Sequence, residues 1–92
     1  MANVSAQAQK SVKEIVDIAK EYSEKLISDK GNLEEVELTG DGRYWIVTLS
    51  YTTLVKDYFS LGVPTARKDY KKFKINAHTG EVTSMKIAKP GE

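Results

Sequence analysis

A chain of 92 residues has room for one thin-cored domain, residues 1–92, and 14 Lys and Arg against 13 Asp and Glu argue against wholesale polyanion binding. The absence of cysteine excludes disulfides, thiol catalysis and cysteine-based zinc sites. No apolar run has the length of a signal-peptide core or the ~20 residues of a membrane span, so the chain as given reads as soluble and cytoplasmic unless a leader has been removed.

From Val12 the apolar residues Val12, Ile15, Val16, Ala19, Tyr22 and Leu26 recur at three- and four-residue spacing and predict one amphipathic helix. Ile18 and Ile27 widen its stripe, and Lys13, Lys20, Glu21, Glu24 and Lys25 take the far face. Ser11 with Glu14 has the spacing of a capping box, but Ser5 could cap a longer helix through Ala6, Ala8 and Gln9. The longer helix with a frayed start over residues 1–10 is the expectation, with Gly31 and Asn32 ending it.

Beyond Gly31 the period changes to two. Leu33 to Thr39 places Val36 and Leu38 on one face and Glu35 and Glu37 on the other, and Gly40-Asp41-Gly42 signals a tight hairpin. Arg43 to about Val55 is the strongest strand, with Trp45, Val47, Leu49 and Tyr51 expected to face the core. A long connection follows over 56–66. Arg67 to Ala77 then points Phe73 and Ile75 inward and Lys68, Tyr70, Lys72 and Lys74 outward. His78-Thr79-Gly80 turns the chain, Glu81 to Ala88 returns with Met85 and Ile87 inward, and residues 89–92 form a polar tail. One helix followed by four hairpin-linked strands predicts a two-layer α+β domain, the helix packed on a curved four-stranded antiparallel meander.

Leu33-Glu34-Glu35-Val36-Glu37-Leu38, Asp41-Gly42-Arg43-Tyr44-Trp45-Ile46-Val47 and the hairpin from Phe73 to Val82 with its Thr79-Gly80-Glu81-Val82 together resemble the PepSY family, and more broadly the cystatin-like, helix-gripping folds. The likeness spans about Val12 to Ile87. It departs from the family at Asn76, where Asp is usual, and in lacking a visible leader. What it implies is a binding or regulatory module, in some relatives associated with restraining peptidases. It carries no catalytic residue over.

No enzyme constellation can be named, and no cofactor is called for. His78 is the only histidine and sits in a wet turn without partners, so it reads as a turn residue and not as a ligand or base. Glu35 and Glu37 share a strand face but lack a third ligand, and read as a solvated edge that deters strand-to-strand aggregation. The connection Tyr58-Phe59-Ser60-Leu61-Gly62-Val63-Pro64 is the first candidate for a protein contact, with Tyr58, Phe59, Leu61 and Val63 as the contact side chains. The competing expectation is that Phe59 and Leu61 close the open end of the core.

The outward row Lys68, Tyr70, Lys72 and Lys74 is the alternative ligand face, for a single-stranded nucleic acid or a small ligand. Residues 65 to 90 hold seven basic and two acidic side chains, and residues 31 to 66 hold two basic and five acidic. That asymmetry equally fits Glu and Lys pairing across neighbouring strands, and nucleic acid is the weaker reading. Tyr44, Ile46 and Tyr70 form a semi-apolar outer face through which the chain could pair with a second copy. The expected function is a non-enzymatic protein-binding or regulatory module.

Overall fold

The computed structural model describes residues 9–56 and 64–88, and within them one helix lies on one sheet. The helix α1 spans Val12–Ile27, and the strands are β1 (Asn32–Leu38), β2 (Tyr44–Lys56), β3 (Pro64–Asn76) and β4 (Val82–Ala88). The sheet order is β1-β2-β3-β4 with every neighbouring pair antiparallel, as the hairpin links require. The α+β meander expected from the sequence is the fold.

The start of the helix corrects the expectation of a longer one. Ser11, in an extended conformation, accepts the Glu14 amide on its hydroxyl at 3.2 Å, and the Glu14 carboxylate accepts the Ser11 amide at 2.9 Å. That reciprocal box starts the helix at Val12. The bond from the Ser11 amide is the main cause that holds the Glu14 carboxyl below its ordinary range. Just upstream, the Lys10 amide donates to the Ala77 carbonyl at 2.8 Å, so the approach to the helix is tied to the sheet.

The C-terminal end also differs: Ser28, not Gly31, takes the left-handed cap, with φ 58° and its amide donating to the Glu24 carbonyl. Gly31, at φ 71°, serves the following turn into β1.

Ile15 and Ala19 from the helix meet Val47, Leu49 and Tyr51 of β2 and Phe73 and Ile75 of β3, all buried. Ile18, Val36, Trp45 and Val82 pack around that cluster, which puts the tryptophan side of β2 toward the helix as expected. Two apolar residues of the helix-facing side depart from the inward reading. Met85 lies opposite Phe73 and Ile87 opposite Lys71, yet Met85 is 37% and Ile87 81% exposed. They share the correct face, but the helix does not reach over them.

The helix is also much shorter than the two central strands. Sixteen helical residues rise about 24 Å, whereas thirteen strand residues run about 43 Å. Both long strands exceed their expected limits at the far end: β2 continues to Lys56 and β3 begins at Pro64, paired with each other. The connection expected over 56–66 is therefore partly strand.

Candidate functional site

The candidate loop residues Tyr58, Phe59, Leu61 and Val63 lie outside the described residues. The structure does describe the ribbon that leads to them. β1 begins opposite Ser50 and β4 ends opposite Tyr70, so from Tyr51↔Asp69 to Lys56↔Pro64 the β2–β3 hairpin runs on with neither outer edge paired among the described residues. Unpaired edges expose backbone amides and carbonyls to whatever strand or loop comes alongside. Leu54 stands on this ribbon at 69% exposure.

Where the helix stops, its end and the base of the ribbon enclose a groove of about 410 Å³, whose lining includes Ile27, Asp29, Tyr51, Arg67, Lys71 and Ile87. Two exposed isoleucines on opposite walls give it an apolar grip, while the Arg67–Asp69 pair at 3.4 Å and Lys71 give it a charged floor. The groove escaped the sequence reading because Ile27 and Ile87 look like core positions by period. The mismatch between a short helix and two long strands was the available signal.

The inner wall of the groove is anchored by a hydrogen-bond chain. The buried Ser23 hydroxyl donates to the Asp29 carbonyl at 2.5 Å, so the 2.6 Å contact between Ser23 Oγ and the Tyr51 hydroxyl has Tyr51 as donor. The chain ties the end of α1 to the middle of β2. Burial pushes the Tyr51 hydroxyl above its ordinary value of 10.0; the Ser23 bond offsets part of that, and the Asp29 charge adds to it. Tyr51 therefore stays protonated in the fold at a pH where the unfolded chain ionises. Its contribution to stability is complete below about pH 10 and is lost as pH rises through the higher folded value. Tyr51→Phe should cost about 1 kcal/mol near neutrality and flatten the alkaline fall in stability. Urea melts at neutral pH and between about pH 9.5 and 11 read both effects.

The outer sheet face is arranged in rows across the strands. Glu37, Ile46, Lys74 and Ser84 form one row, Glu35, Thr48, Lys72 and Lys86 the next, and Asn32, Ser50, Tyr70 and Ala88 a third. Lys68, Tyr70, Lys72 and Lys74 thus share the outer face as expected, and Lys86 of β4 extends their charge. Lys74 Nζ sits 4.4 Å from the Tyr44 ring centroid, and Lys68 Nζ 5.7 Å from that of Tyr70. Lys68 also pairs with Glu34 at 3.1 Å, the cross-sheet pairing that the charge asymmetry suggested.

Glu34 stands at the irregularity between Leu33 and Glu35 and accepts the buried Ser50 hydroxyl at 2.7 Å. The Ser50 bond first, and Lys68 second, hold the Glu34 carboxyl below its ordinary range; Glu34 in turn raises Lys68. One edge of the face is acidic, its centre uncharged and its other side basic.

His78 is exposed in the turn, where the Asn76 side-chain oxygen accepts the amides of His78 and Thr79 at 2.8 and 2.9 Å. Among the described residues no group of three His, Cys, Asp or Glu could hold a metal ion. No helix among them is long and apolar enough to cross a membrane. No family model, curated protein or solved structure matches the chain; its architecture, one helix on a four-stranded antiparallel meander, is compatible with a cystatin-like fold.

Proposed function

We propose that the domain is a non-enzymatic protein-binding or regulatory module whose partner contacts the β2–β3 ribbon and the groove at its base. The register carries this reading: six residue pairs of the hairpin extend past the last partner residues of β1 and β4, with Leu54 exposed on them. A ribbon with open edges offers main-chain hydrogen bonds to an incoming strand, and the groove offers apolar side-chain pockets beside it. The resemblance to PepSY domains, at the acidic strand, the aromatic strand and the Thr79-Gly80-Glu81-Val82 hairpin, supports a regulatory role of the kind some relatives exert on peptidases. The basic row on β3 supports a nucleic-acid reading less well, because the acidic row of β1 borders the same face.

Leu54 and Ile87 are exposed, so Leu54→Asp and Ile87→Asp should each leave stability within about 0.5 kcal/mol. With the immobilised domain and an extract of its source cells, a protein retained by the native sequence should fall at least about tenfold with either variant and persist with Lys20→Glu on the far helix face. Retention should also survive about 0.5 M NaCl. Equal retention by all variants, or a bound nucleic acid that salt releases, overturns the proposal.

A further inference from the structure

We infer that the outer sheet face binds a second copy of this chain, as a two-fold dimer in which the acidic row of each copy covers the basic row of the other. The observation is the order of charge across the rows. Reading from β1 to β3, Glu37 is followed by Ile46 and Lys74, and Glu35 by Thr48 and Lys72. Each row runs negative, neutral, positive. Lay a two-fold axis over β2, parallel to the strands. The operation moves a residue across the sheet but not along it, so Glu37 of one copy arrives over Lys74 of the other, and Glu35 over Lys72. Ile46 meets its own symmetry mate at the centre. All four charge contacts and the apolar one arise from a single operation, as an isologous interface demands.

The mixed charge of this face also favours this occupant. A polyanion would also meet Lys72, Lys74 and Lys86, but it would run beside Glu35 and Glu37, whereas a second copy uses both signs. Stacked sheets sit about 10 Å apart and cross at about 30°, within joint reach of facing Glu and Lys side chains near the axis. With the axis over β2, the strands that face each other are β1, β2 and β3 of each copy. Three strands by seven residues cover about 14 by 20 Å, so the pair buries on the order of 600 Å² in all, below the standard size of a specific interface. The dimer is therefore weak and sensitive to salt. Because the axis preserves strand direction, both ribbons leave it at the same end.

Sedimentation velocity of the whole chain over a micromolar-to-millimolar series should show reversible dimers at low salt that dissociate as salt rises. E35K/E37K and K72E/K74E should each weaken dimerisation at least about tenfold. An equimolar mixture of these two variants should dimerise again, because each then presents the charges the other lacks, and the quadruple reversal E35K/E37K/K72E/K74E should restore the self-pair. Circular dichroism melts confirm that each variant folds; these side chains lie on the outer face, away from the core. A strictly monomeric native chain at millimolar concentration overturns the inference. So does self-association that survives both double reversals, or a mixture that stays monomeric. Binding of a single-stranded oligonucleotide that K72E/K74E abolishes, in a chain that never dimerises, assigns the face to a polyanion instead.

Discussion

Phe73→Ala is expected to remove most of the stability of this domain. Phe73 is fully buried in β3, between Val47 on β2 and Met85 on β4, with the Tyr22 ring edge-on at 6.2 Å and 81°. Among the described residues it is the largest fully buried side chain, and it touches the helix layer and the sheet layer together. Truncation of such a residue costs about 3–5 kcal/mol in lost transfer energy and residual cavity. A small domain holds about 5–15 kcal/mol in total. The melting temperature should therefore fall by roughly 15–30 °C, since one kcal/mol is worth about 4–8 °C at this size. Phe73→Leu keeps most of the volume and should cost about 1–2 kcal/mol, so the pair can be ranked in urea even if the alanine variant is unfolded at 37 °C. Equal melting of the alanine variant and the native chain would mean that the core lies elsewhere.

Gly31→Ala should be the second most damaging single change. Gly31 has φ 71°, where an L side chain costs about 1–2 kcal/mol. A methyl there would also stand 2.8 Å from Tyr51 Cε1 and 3.1 Å from the Ser50 carbonyl oxygen. The tyrosine is held by Ser23 and the carbonyl belongs to a central strand, so neither yields cheaply. Overpacking of this kind adds about 1–3 kcal/mol.

Gly80 supplies the comparison. Its φ is 78°, but the atoms a methyl would meet are Ile18 Cδ1 at 2.8 Å and Lys10 Cε at 2.9 Å, the far ends of side chains that can swing aside. Gly80→Ala should thus cost about 1–2 kcal/mol, from backbone conformation alone. Asparagine tolerates the left-handed region, so Gly80→Asn should recover much of the loss, and Gly31→Asn should recover little. Denaturant melts of the four variants test the ordering; equal losses at the two glycines would show that crowding at Tyr51 is not a factor.

Several local features were legible because their causes are local. The Ser11–Glu14 box depends on four consecutive residues, whereas the bond from the Lys10 amide to the Ala77 carbonyl joins residues far apart in sequence. Asn76 has a local role: its side-chain oxygen holds two turn amides, which an Asp carboxylate would do equally well. The candidate contact residues over 58–64 offered only composition as a clue. The groove beside the ribbon offered less, since its walls come from residues as far apart in sequence as Ile27 and Ile87.

Period and turn chemistry by themselves determined one helix, four strands, the face of each strand and the order in which they pair, because those properties depend on neighbours within a few residues. Tertiary structure alone decided how far the helix covers the sheet, where strand pairing stops, and which charges align in rows. Those outcomes depend on relative lengths and on the registers of β1, β3 and β4 against their neighbours. A residue's period assigns it a face, but only a second element laid over that face removes it from water.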